Sequence, residues 1–139
     1  TKGRIDLQLI PYYNRIVNLC FYLERNPDVK FIENLEKLMD DPNIKGYKTS
    51  EYNQTRWRIY GANLELLLAV AAIRCGSMKG TECLISYLED IHSNFRYFSR
   101  NELCSVYGKD GGYDRAAWRK LVKDKKSLKV SPLKKSIEV

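Results

Sequence analysis

The sequence predicts an all-α fold, a stack of helical hairpins built from about six helices joined by short turns. Three observations predict it. Apolar residues recur at helical spacing through most of the chain, as in Tyr12, Ile16, Leu19, Cys20 and Leu23. Breakers divide that pattern at Asn26-Pro27, Asp41-Pro42, Gly76 and Gly108. No segment alternates apolar and polar residues as a half-buried strand would.

Composition narrows the classes. The 139 residues, 44% apolar and 29% charged, suit one domain with a substantial core. That apolar share excludes wholesale disorder, and four Cys in so long a chain exclude a disulfide scaffold. The longest uninterrupted apolar run, Leu66 to Ile73, is far short of the roughly 20 residues that a membrane-spanning helix needs. No signal peptide stands at the start, and Thr1-Lys2-Gly3-Arg4 reads as an interior cut or a processed end.

The elements follow in order. Pro11 opens the first helix, where its missing N–H costs nothing, and Asn26-Pro27 stops it. Asp28 caps a second helix whose buried stripe is Ile32, Leu35 and Met39. Residues 43–54 are polar and read as a loop. A third helix fills roughly 55–75. It is apolar on nearly every side except Glu65 from Leu64 to Ile73, which places it centrally. Gly76 ends it and Ser77 caps a fourth, with Thr81, Leu84, Ile85, Leu88 and Ile91 facing inward.

Ser99 to Glu102 has the form of a capping box and predicts a short fifth helix, closed by Gly108. Gly111-Gly112 permit a tight reversal, and Asp114 caps a last helix from Arg115 to about Lys123. Tyr113 and Trp118 have the spacing of a hydrophobic staple, so the two rings are expected to clasp the first turn. Gly112, Tyr113, Asp114 and Trp118 are therefore the expected structural cap, with Trp118 covering the end of the stack. The expected organisation is a single helical domain over 1–126 and a basic flexible tail over 127–139. Deleting that tail is expected to leave the melting temperature nearly unchanged.

A shift of 50 residues brings two helical pairs into rough register. Leu19 falls on Ala69, Leu23 on Ile73, Leu35 on Ile85, Leu38 on Leu88 and Asp40 on Asp90. Gly76 and Gly80 form a Gly-x-x-x-Gly turn, and Glu89-Asp90 end the following helix. A closing segment then contains Gly108, Lys109, Asp110, Gly112, Tyr113, Asp114, Ala117, Trp118 and Arg119. Over about residues 64–122 this resembles bacterial HEAT-like repeat modules, which form helical solenoids. It is similar to the appendage that follows the catalytic part of secreted flavin-dependent oxidoreductases. The chain departs from that pattern at Phe95, Tyr97 and Phe98 and in its basic end. The resemblance implies an accessory packing or protein-interaction module without catalysis, and an extracytoplasmic setting; without it the expected setting is cytoplasmic, and the cysteine usage fits either. Its partner would be another domain of the same parent chain or a separate protein.

The net charge of +7 lies wholly at one end. Residues 1–114 balance to zero, while Arg115 to Lys135 supply nine basic residues against Asp124 and Glu138. A basic arm suits phosphates, which makes a small nucleic-acid-binding protein the alternative function. Tyr52, Arg56, Trp57, Arg58 and Tyr60 form the one cluster of aromatic and basic residues, a candidate partner surface.

Reaction chemistry is sparse. His92 is the only histidine, placed near a helix end where a cation favours the dipole, and no triad or His cluster forms around it. Cys20, Cys75, Cys83 and Cys104 lack C-x-x-C spacing and read as buried thiols. The pairs Asp40-Asp41 and Glu89-Asp90 read as helix punctuation, and no phosphate-loop fingerprint occurs. No catalytic residue, metal or cofactor is assigned.

Overall fold

The structure, a computed structural model, describes residues 10–42, 44, 56–90, 92–123 and 128–133; for 56–61 it describes the backbone alone. Among these residues the chain is all-helical. It has six α-helices: α1 (Ile10–Arg25), α2 (Ile32–Met39), α3 (Arg56–Cys75), α4 (Met78–Ser86), α5 (Ser93–Tyr107) and α6 (Arg115–Val122). A single 3₁₀ turn, Val29–Phe31, leads into α2, and the Asp28 carboxylate caps it by accepting from the Lys30 amide at 3.0 Å.

The apolar α3 is the hub, as its sequence requires. α1, α2, α4 and α5 all pack on it, and α6 packs on α4. Leu68, Ala69, Ala71, Ala72 and Ile73 of α3 are fully buried, meeting Leu23 of α1, Leu35 of α2 and Leu84 and Ile85 of α4. Gly76 ends α3 at φ +107°, where a side chain would be strained. Its N–H bonds the Ile73 carbonyl at 3.0 Å and that of Ser77 bonds Ala72 at 2.9 Å. Ser77 then caps α4 through the Gly80 amide and donates to Glu36 of α2 at 2.6 Å, so one residue joins three helices.

Two boundaries differ from the sequence expectation. α4 stops at Ser86, before Leu88, and Ile91 lies outside the described residues. Turns with i→i−3 bonds at Tyr87, Leu88 and Asp90 replace its last coil. They bury the Tyr87 ring beneath α3, where its hydroxyl donates to Glu65, the one acid on the apolar helix face. The second difference is α5, which starts at Ser93 and runs straight through the supposed capping box. Ser99 is fully buried in mid-helix, because Phe95, Ser99 and Leu103 fall four residues apart and share the inward face.

The third difference is at the end of the chain. Residues 128–133 fall in the stretch expected to be a free tail, yet they lie extended against the body. The Ser131 amide donates to the Arg74 carbonyl at 2.8 Å, and the Leu133 amide donates to the Glu24 carbonyl at 2.6 Å. Both carbonyls belong to the last turns of helices, where no intrahelical donor remains. Alternate residues of an extended strand present their N–H groups on one edge, so Ser131 and Leu133 reach both helix ends together. The intervening Pro132 has no N–H to lose. Leu128 packs on the core beside Gly76.

Beneath this strap lies the Arg74 guanidinium, its side chain 3% exposed. It donates to Glu102 at 2.9 Å and Ser105 at 3.0 Å on α5, and to the Ser131 carbonyl at 3.3 Å. Burial raises the buried Glu24 carboxyl to about 7, helped by the nearby Glu102 charge and opposed by Arg25 and Arg74. No described helix is long and apolar enough to cross a membrane.

Candidate functional site

The closing segment is a structural assembly. Asp114 caps α6 by accepting from Ala116 at 2.9 Å and Ala117 at 3.4 Å. Trp118 is fully buried, and its indole N–H donates to the Gly112 carbonyl at 2.7 Å. Its ring stands 6.3 Å from that of Tyr107 on α5. Gly111 lies so close beneath that ring that a Cβ would sit 2.9 Å from two indole carbons.

The staple takes a different form. The Tyr113 ring does not clasp Trp118; it meets Tyr97 edge-on at 5.9 Å and lies 4.9 Å under the Arg100 guanidinium. Arg100 also binds Asp110 through two nitrogens, which holds the Asp110 carboxyl well below its usual range. Salt bridges Arg119–Glu82 at 2.7 Å and Arg115–Glu89 at 3.2 Å fasten α6 to α4 and to the turn that follows it. The acidic pairs are thus joints between elements: Asp40 binds Lys79, and Asp41 accepts from Tyr12 at 3.5 Å.

Of the candidate partner surface, Tyr52 lies outside the described residues. Arg56, Trp57, Arg58 and Tyr60 occupy the first turns of α3, where the backbone alone is described. Exposed aromatic side chains stand elsewhere. Phe21 and Tyr22, neighbours on α1, are 47% and 60% exposed, and Tyr97 and Phe98 project from α5. Cys20 and Cys75 are buried free thiols, and burial lifts the Cys20 thiol to about 12, which makes it inert.

One cavity unites residues that the sequence leaves scattered. It measures about 440 Å³ and lies between α3 and the start of α5. Asn63, Leu66 and Leu67 line one side, one helix face at spacings of three and four. His92, Asn94, Phe95 and Phe98 line the other. His92 sits at the N-cap of α5, a helix start and not the dipole-favoured end expected for it, and its ring makes no capping bond. The Asp90 carboxylate, 1% exposed, accepts from both the His92 amide and Nδ1, each at 2.8 Å. In the neutral imidazole, with the Nδ1 proton held by Asp90, Nε2 is an acceptor; in the imidazolium both nitrogens donate. The ring is steadied by Phe95 at 5.2 Å, which in turn meets Tyr87 at 5.9 Å. Among the described lining residues there is no hydroxyl or thiol nucleophile. The arrangement is equipped to bind and orient a polar group on an apolar body.

The sequence carried a signal for this site in Asp90-x-His92 followed by Phe95. It was obscured because an aspartate two residues before a histidine is also ordinary turn chemistry. Comparison with protein-family models, curated proteins and solved structures gives no match for this chain.

Proposed function

We propose that this chain is a non-catalytic helical module that packs against another protein or another domain of a longer bacterial parent. In this reading its helices follow the HEAT-like hairpin plan, and the segment around Trp118 closes the stack. The observation that supports it most is the pair Phe21 and Tyr22, consecutive on α1 and about half exposed, although the core closes without them. Aromatic side chains of this kind anchor interfaces, since they bury a large area with few rotamers to fix. The ion pairs fit the same reading, because these three join one element to the next.

The test is a photo-cross-linking side chain placed at Phe21 in the chain as its cell makes it. One adduct of fixed mass is expected, lost on Tyr22→Asp and absent when the probe stands at Lys109. No adduct at Phe21, or equal labelling at both positions, contradicts the reading. Heparin chromatography settles the alternative. Retention that collapses with salt and vanishes on deletion of 124–139 would favour nucleic acid as the partner.

A further inference from the structure

We propose that the cavity between α3 and the first turn of α5 is a binding site for a small aromatic alcohol. The inference goes beyond the packing role and does not rest on it. The volume of about 440 Å³ falls within the range of small-molecule sites, roughly 300–1,000 Å³, and exceeds a packing defect by far. Its wall follows the general plan of such sites, apolar surface with few polar groups. Leu66, Leu67, Phe95 and Phe98 supply the apolar surface, with Asn63 and Asn94 beside them.

His92 sets the ligand's chemistry. A residue at an N-cap ordinarily turns its side chain back to the first free amides of the helix, and His92 does not. A nearly inaccessible carboxylate, Asp90, instead fixes the ring by Nδ1. In the neutral ring Nε2 then accepts, and no described residue donates to it. A ligand therefore brings an O–H to Nε2 and an aromatic body to the Leu66, Leu67, Phe95 and Phe98 surface. An anionic ligand is disfavoured, because an acceptor nitrogen backed by a carboxylate repels a second negative charge.

The protein holds one histidine, so the His92 imidazole signals are unambiguous in a nitrogen-15 NMR spectrum. The probes are 4-ethylphenol, its methyl ether and 4-ethylbenzoate. The phenol is expected to bind saturably and move the Nε2 resonance, with the ether weaker by about fivefold, the worth of one hydrogen bond. Leu67→Trp, which fills the cavity from a half-buried position, is expected to abolish the shift while the melting temperature holds. No saturable shift with the phenol overturns the proposal. So does an ether that binds as tightly as the phenol, or a benzoate that binds tightest. The phenol–ether comparison uses the unaltered chain and holds whether or not the variant folds.

Discussion

The two closures of this helix bundle are built in opposite ways. At the α6 side, Gly111, Gly112, Asp114 and Trp118 lie within eight residues, and the segment caps its own helix before covering α5. At the α1–α3 side, Glu24, Arg74, Glu102 and the pair Ser131 and Leu133 come from four distant places along the chain. The first closure is apolar, and its polar groups are satisfied locally. The second is a buried charge paired with Glu102 and sensed by Glu24, completed by the strap over 128–133. A local closure can be read from spacing, because a cap and a staple have fixed offsets. A distant one has no offset to read.

The comparison is broken most sharply by truncation. Trp118→Ala removes a fully buried aromatic and its indole bond, and is expected to cost about 3–5 kcal/mol in a denaturant titration. A loss under about 1 kcal/mol would show that α6 does not close the stack. Arg74→Met removes the cation from the other closure and leaves Glu102 without its partner, its charge still acting on Glu24. A loss of about 3–4 kcal/mol is expected, as for other buried pairs stripped of one partner. If Arg74→Met is nearly neutral, the charged closure contributes no more than packing.

Glu24 sharpens the contrast through pH. Its folded carboxyl titrates at about 7, against an ordinary 4.5, chiefly because it is buried. The folded state therefore holds the proton more tightly between those values. Its share of stability is fully present below pH 4.5 and is lost as pH rises through about 7. Glu24→Gln is expected to stabilise by about 1–3 kcal/mol at pH 8 and by almost nothing at pH 4.5, measured as unfolding midpoints at the two pH values. An equal effect at both would place the carboxylate in water.

How much of this was legible follows the same division. Asn26-Pro27, Gly76-Ser77, Gly108 and Asp114 marked their boundaries because glycine, proline and capping residues act on the backbone within a few positions. The centrality of α3 was legible from its unbroken apolar run. Ser99 misled, since a serine three residues before a glutamate suits a helix start and a buried mid-helix position alike. Tyr113 kept the staple spacing but found a better partner in Arg100, which no local rule anticipates. The cavity and the Arg74 cluster depend on which helices meet, and helical periodicity is silent on that.

The smallest expected change is at the strap. Deleting residues 127–139 is expected to lower the melting temperature by several degrees, about 1–2 kcal/mol. Two capping hydrogen bonds and the Leu128 contact are lost, while the freed carbonyls regain water. This replaces the unchanged melting temperature expected of a free tail.

Amide hydrogen exchange tests the distant closure most directly. The Ser131 and Leu133 amides, each bonded to a helix-end carbonyl, are expected to be protected, and the Lys129 amide on exposed chain to exchange rapidly. Uniformly rapid exchange across 128–133 would contradict the account, for the bundle would then be closed at the α6 side alone.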